Sequence, residues 1–247
     1  MRNLLLTMRF DGSAYHGWQV QKNAVTVQET LQDAIEKALG RRENVTGCSR
    51  TDAGVHANMY CCNFRTESKK GCETVVRALN AWLPRDIGVY DCREAPEDFH
   101  ARYSCVSKEY RYVIWNSPYK NPFYQNRALH LKAPLLDADM LNEEAARFVG
   151  TFDYKAFAST GHSVVDTVRT VTACRVERLG DEVIFTVRAD GFLYNMVRIM
   201  AGTLLDAARG GIAGGEIRDI ILSGDRGRAG ATAQACGLYL NRVNYEL

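Results

Sequence analysis

Val168–Ala189, VRTVTACRVERLGDEVIFTVRA, decides the fold class. Val168 to Val176 and Glu182 to Ala189 are runs rich in β-branched and apolar residues, and Leu179-Gly180-Asp181 supplies a turn between them. Strands joined this closely pair antiparallel, because a parallel partner requires a crossover of about a dozen residues or more. Helical patterns flank the hairpin. Asp137 to Val149 sets Leu141, Ala145 and Phe148 on one face ahead of Gly150, and Tyr194 to Ala208 reads as an apolar-faced helix. Phe152 to Thr167 reads as a long irregular stretch. Further out, Lys108 to Trp115, KEYRYVIW, is the clearest single strand, and the two prolines within Asn116 to Gln125 make that segment a loop. A short helix near Glu216 to Leu222 and a strand over Gly237 to Val243 follow.

The first half has a similar inventory. Asn3 to Phe10 reads as a strand and Asp11 to Lys22 as a loop. Thr26 then caps a helix with Glu29 at its third position, an apolar stripe of Val27, Leu31, Ile35 and Leu39, and a closing Gly40. Asn58 to Phe64 is strand-like. Glu73 to Leu83 is a helix with Val75, Val76, Leu79 and Leu83 on one face, stopped by Pro84, and Ile87 to Cys92 is a further strand. Mixed strands and helices with a hairpin predict an α+β fold rather than a doubly wound one. FDGSAYHGW lacks the glycine spacing of a dinucleotide loop, and no helix begins there. Two similar domains are expected, 1–105 and 106–247, each a small sheet with helices on one side.

A chain of 247 residues, 46% hydrophobic, can bury a core without disulfides or metal. The net charge of +2, from 31 basic and 29 acidic residues, requires any nucleic-acid footprint to be local. Arg41-Arg42, Lys69-Lys70 and Arg226-Gly227-Arg228 are candidate patches, although the plainer reading of each is a solvated surface. The eight cysteines read as reduced, and Cys61-Cys62 on a strand point to opposite faces, which disfavours zinc. The opening MRNLLLTMRFDG is too short in apolar length for a signal peptide, and no apolar stretch approaches about twenty residues, so a cytoplasmic location is expected.

The densest polar cluster is Gly47-Cys48-Ser49-Arg50-Thr51-Asp52-Ala53-Gly54-Val55-His56-Ala57. Asp52 is either a nucleophile or base, or the anchor of an Asx turn over Thr51–Gly54. His56 reads as a structural histidine. His16, His100, His130 and His162 have no metal spacing, and the zinc deaminase signature is absent. Phe99-His100-Ala101-Arg102-Tyr103-Ser104 and Lys108-Glu109-Tyr110-Arg111-Tyr112 interleave cations with aromatics, as base stacking and phosphate holding require, although sheet packing also uses such alternation. Asp190 to Arg198, DGFLYNMVR, puts an arginine among apolar helical residues, where it needs an exposed face or a carboxylate partner.

The blocks 47–57, 99–104 and 191–198 resemble the three signatures of the tRNA pseudouridine synthase A family. The opening Phe10-Asp11-Gly12-Ser13-Ala14-Tyr15-His16-Gly17-Trp18-Gln19 and the closing Gly237-Leu238-Tyr239-Leu240 are similar to it as well, in the family's order along the chain. Departures fall at Phe152 and Tyr154, where members often carry His or Asn and Phe, and at Ala233-Gln234-Ala235, where many carry Ala-Pro-Ala.

The resemblance implies two ferredoxin-like domains whose mainly antiparallel sheets join across a central catalytic cleft. It implies isomerisation of uridine to pseudouridine at positions 38, 39 and 40 of the tRNA anticodon stem-loop, by a homodimer, without metal or other cofactor. It makes Asp52 the catalytic carboxylate and sets Arg198 beside it. Tyr110 becomes the ring against the target base, Leu193 an apolar wall, and Arg50 the arginine that enters the RNA and helps extrude the nucleotide. Arg102 and Arg111 join the RNA-binding set. The partner is then transfer RNA, not DNA or a membrane.

Three rival readings remain. A pseudouridine synthase of the same fold with another RNA target is chemically nearest. A non-catalytic RNA-binding protein would give Asp52 no task, since a carboxylate in an RNA groove repels phosphate. A hydrolase or deaminase lacks its metal ligands or its Ser-His-Asp set.

Overall fold

The computed structural model describes residues 1–159 and 166–246. Its strands are β1 (Arg2–Phe10), β2 (Val45–Gly47), β3 (His56–Thr66), β4 (Ile87–Ala95), β5 (Cys105–Asn116), β6 (Leu129–Leu131), β7 (Gly150–Asp153), β8 (Val168–Leu179), β9 (Glu182–Ala189) and β10 (Leu238–Tyr245). Its α-helices, among the described residues, are α1 (Val27–Leu39), α2 (Cys72–Trp82), α3 (Ala138–Ala146), α4 (Met196–Ala208) and α5 (Ile217–Ser223). The protein is α+β, and its strand pairing is mostly antiparallel. Two compact units divide the chain, Met1–Val106 with Tyr239–Leu247, and Ser107–Leu238.

In the first unit β1 pairs antiparallel with both β3 and β4, and β2 pairs antiparallel with the far end of β3. The order β4-β1-β3-β2, with α1 and α2 packed together, is the ferredoxin-like arrangement. The closing strand β10 joins the start of β3 in parallel, Tyr239 opposite His56 and Leu240 opposite Ala57. Local chemistry sets the limits of α1. The Thr26 side chain accepts from the Glu29 amide, worth about 1 kcal/mol, and Gly40 closes the helix at φ +83°. Its buried face is Val27, Leu31, Ala34, Ile35 and Ala38, with Leu39 only half-buried. Each large aliphatic side chain so buried contributes about 1.5–3 kcal/mol. On β3 the five residues from Tyr60 to Phe64 are all buried, so Cys61 and Cys62 on opposite faces are both enclosed.

In the second unit the succession β5, α3, β8, β9, α4 repeats the order strand, helix, strand, strand, helix. Its strand order is β6-β5-β9-β8-β7. β8 and β9 form the expected hairpin, Leu179 opposite Glu182, and Gly180 turns it at φ +61°. β9 then pairs along β5 from Lys108↔Ala189 to Trp115↔Glu182. α3 packs on β8 and lies next to α4.

Three details differ from the sequence reading. α3 ends at Ala146 rather than Val149, yet Phe148 stays fully buried beyond its end. α4 begins at Met196 rather than Tyr194, because Asn195 sits in the left-handed region at φ 61° and interrupts any earlier helix. β7 and a 3-10 turn over Lys155–Phe157 occupy the first part of the stretch read as irregular. His162 lies outside the described residues. Among the described residues no helix is long and apolar enough to cross a membrane.

Candidate active site

In the first unit the polar loop between β2 and β3 carries Asp52, and a second loop holds it from behind. That second loop is the run Phe10–Gln19. The Trp18 amide donates to Thr51 O at 3.2 Å, and the Gly54 amide donates to Tyr15 O at 3.2 Å. The turn at Asp52 closes through its backbone, Val55 N donating to Asp52 O at 3.2 Å. Gly17 has φ +85°, and a Cβ there would lie 2.2 Å from Thr51 O, so the two backbones approach as only glycine permits. The Trp18 ring stacks on Tyr60 at 4.2 Å, and the Tyr60 hydroxyl donates to Ser49 O. His56 is structural. It is 1% exposed, its Nδ1 accepts from the Gly12 amide at 3.0 Å, and its ring stacks on Tyr239 at 4.6 Å. Asp52 thus stands on a short loop fixed at both ends and along its back, with its residue half-buried.

Arg50 and Arg102 meet in one pocket of about 240 Å³ in this unit. The 45–50 strand and loop form one wall, Trp18, Gln19 and Gln28 another, and His100, Arg102 and Tyr103 the third. The last wall is a preformed turn. His100 O accepts from the Tyr103 and Ser104 amides, and His100 Nδ1 accepts from Arg102 N at 3.2 Å and Tyr103 N at 3.4 Å. The Arg102 guanidinium lies over the Tyr103 ring at 5.6 Å. Among the described residues neither Arg50 nor Arg102 has a carboxylate partner.

The second unit carries Tyr110, Arg111, Leu193 and Arg198. Tyr110 on β5 faces Val187 of β9, is buried, and meets the edge of Phe192 at 5.0 Å and 84°. Leu193, also buried, follows Phe192 directly on the segment between β9 and α4. Asp190 anchors that segment, its carboxylate accepting from Thr170 N at 3.0 Å and its amide donating to Thr170 O at 3.1 Å. The Arg198 guanidinium donates from Nε to Ala233 O at 2.8 Å and from Nη1 to Asn195 Oδ1 at 2.9 Å. Asn195 in turn donates to Ser159 Oγ at 3.0 Å. Arg111 lies on β5 opposite Thr186, with a buried Nε that has no hydrogen-bond partner among the described residues.

The three departures are packing features. Tyr154 is fully buried, and its hydroxyl donates to Phe148 O just past the end of α3. Arg218 covers the Phe152 ring at 4.3 Å. Gln234 has φ −59°, a value proline shares, and its carbonyl accepts from the Tyr112 hydroxyl at 2.8 Å. Among the described residues no group of three or more His, Cys, Asp or Glu is placed to hold a metal ion. Among the described residues none of the eight cysteines is joined in a disulfide. Burial pushes the Cys61 thiol up to about 12, so at neutral pH it is a packed apolar group and not a nucleophile.

The sequence alone points to no role for Gly17, Trp18 or Tyr60, and offers Tyr103 only as one aromatic of a run suited to base stacking or to sheet packing. The first three buttress the Asp52 loop and the fourth walls the pocket. All but Tyr60 lie inside the motif blocks, but the partners that brace Gly17 and Trp18 are remote in sequence.

A family model described as tRNA pseudouridine synthase matches residues 6–104 and 145–246. A protein of Ruminiclostridium cellulolyticum named tRNA pseudouridine synthase A is 47% identical over 246 residues, 99% of this chain and 100% of its own length. Proteins of the same name from Acetivibrio thermocellus and Thermoanaerobacter sp. (strain X514) are 45% and 44% identical over 245 residues, again 99% of this chain and 100% of theirs.

Proposed function

This chain belongs to the tRNA pseudouridine synthase family, and on that premise we propose that it modifies the anticodon stem-loop at positions 38, 39 and 40, with Asp52 as its catalytic carboxylate. The coarser activity follows from the family. The protein is an isomerase that forms pseudouridine in transfer RNA.

The observation that carries the finer reading is the fixing of the Asp52 loop. A carboxylate on a loop braced by Trp18 N, Tyr15 O and the close approach of Gly17 loses little freedom on meeting a substrate. The reaction breaks the N1–C1′ bond of an extruded uridine, lets the uracil turn, and forms the C5–C1′ bond. The C5 hydrogen leaves as a proton, N1 gains one, and no net redox change occurs. Asp52 acts on the ribose, by attack or by deprotonation. Arg198 keeps that carboxylate ionised and oriented, a task suited to a planar fork already fixed by Ala233 O and Asn195. Tyr110 restrains the turning base, Leu193 supplies an apolar wall, and Arg50 helps extrude the nucleotide. Arg102 and Arg111 bind the RNA backbone. The enzyme works as a homodimer in the cytoplasm, with no metal or other cofactor.

Incubation of unmodified transfer RNA with the enzyme, followed by carbodiimide mapping, tests the target. Pseudouridine confined to positions 38 to 40 is expected. Pseudouridine at other positions only would assign the chain another RNA target.

A further inference from the structure

The pocket that gathers Arg50 and Arg102 has features the isomerisation does not use. Tyr103 is 76% exposed, an aromatic face left in water beside a guanidinium. His100 packs against it at 4.4 Å and 33°. Because His100 Nδ1 accepts two backbone amides, Nε2 carries the ring proton and is a donor. Among the described residues no carboxylate lines the pocket, and two guanidinium groups do. Gln28 is committed to the scaffold, accepting from Val20 N at 3.0 Å and donating to Val45 O at 2.9 Å. Gln19 has no hydrogen-bond partner among the described residues and offers a donor and an acceptor.

Such walls select a ligand with an anionic group, a flat π-face and a polar edge, which together describe a nucleotide. The volume of about 240 Å³ is below the roughly 300 Å³ at which pockets begin to enclose a whole free ligand. It suits one unit of a longer strand. Arg50 is two residues from Asp52, so their Cα atoms are at most about 7–8 Å apart. A strand whose uridine reaches Asp52 therefore passes this wall.

We propose that the pocket holds a second, unpaired nucleotide of the substrate RNA, distinct from the uridine being isomerised. Its base stacks on Tyr103 and its phosphate sits on Arg102. The inference rests on the reading that the substrate is transfer RNA. Stacking of this kind is sequence-tolerant, because every base has a π-face. One enzyme could then accept several neighbouring targets without a fixed flanking base.

The test measures dissociation constants for unmodified transfer RNA with wild type, Tyr103→Ala, Tyr103→Phe and Arg102→Ala. It adds anticodon stem-loops carrying a single abasic nucleotide at each unpaired position in turn. Tyr103→Ala is expected to weaken binding about 5- to 150-fold, the fold-change equivalent of about 1–3 kcal/mol per stacked base, and Tyr103→Phe to retain it. Arg102→Ala should lower the salt slope of binding by about 1. One abasic position should weaken wild type strongly and Tyr103→Ala hardly at all, and that position names the nucleotide in the pocket. Wild-type affinity in Tyr103→Ala, or abasic losses that all add to it, would overturn the proposal. Tritium release from C5-labelled uridine by wild type is read in parallel. Its absence defeats the reading of the substrate, whereas its presence leaves the Tyr103 result to judge the pocket alone.

Discussion

Replacing Gly17 by alanine tests whether the braced loop is what places Asp52. The residue has φ +85°, and its new Cβ would meet Thr51 O at 2.2 Å and Asp52 C at 3.1 Å. Two costs add. A left-handed conformation costs an alanine about 1–2 kcal/mol. The contact must also open to beyond 3.0 Å, so the Thr51 carbonyl retreats by roughly 1 Å, at the price of about 1–3 kcal/mol for overpacking. Gly40 separates the two. It has φ +83°, ends α1, and would place its Cβ with nothing inside 4 Å. Gly40→Ala should therefore lose about 1–2 kcal/mol of stability in urea unfolding and keep its turnover. Gly17→Ala should lose about 2–5 kcal/mol and about 100-fold in turnover, the scale on which a shift of about 1 Å affects a reacting group. Equal stability losses in the two variants, with tritium release by Gly17→Ala within a few-fold of wild type, would refute the argument.

Arg198→Lys should retain transfer RNA binding and lose turnover by about tenfold or more, since one ammonium cannot reproduce the bonds to both Ala233 O and Asn195 Oδ1; near-normal kcat would remove the orienting role. Alkaline pH should destabilise the fold. Burial raises the pKa values of the Tyr112, Tyr154 and Tyr245 hydroxyls, and that of Cys61 to about 12, so these groups stay protonated in the folded chain while the unfolded chain loses their protons. The stability they contribute is complete below about pH 8.5 and falls as pH rises toward the folded values, by up to about 1.4 kcal/mol per pH unit per group. Urea midpoints at pH 8 and pH 10 measure this, and equal midpoints would contradict it. Gln234→Pro should raise stability by about 0.4–1 kcal/mol, because φ is already −59° and among the described residues the Gln234 amide donates no hydrogen bond; a lower unfolding midpoint would show that the ring strains the 233–235 loop.

The elements read most accurately from sequence are those whose ends are set locally. Thr26 and Gly40 delimit α1, and Gly180 turns the β8–β9 hairpin, through bonds to near neighbours. α4 starts later than its apolar pattern suggests because Asn195 is left-handed at φ 61°, and its side-chain amide donates to Ser159, 36 residues away. β6 and β7, of three and four residues, are too short to show alternation above the surrounding pattern.

The Asp52 loop was visible as the densest polar cluster, but spacing alone left it between a turn and a catalytic group. The resemblance to the family motifs, not periodicity, is what favours the catalytic reading. What braces the loop was hidden, because Gly17 against Thr51 and Trp18 against Tyr60 pair residues more than thirty positions apart. The pocket was hidden for the same reason, since residues 18–28, 45–50 and 100–103 line it only once the sheet has formed. Arg50 and Arg102 were each legible as cations in a motif; that they share one pocket is a property of the fold.

The most direct test of the central claim uses anticodon stem-loop RNA with tritium at uridine C5, incubated with wild type and with Asp52→Asn while binding is measured on the same samples. Release by wild type alone, with both proteins binding the RNA, is the predicted result and assigns the chemistry to Asp52. Release by Asp52→Asn at the wild-type rate would contradict it.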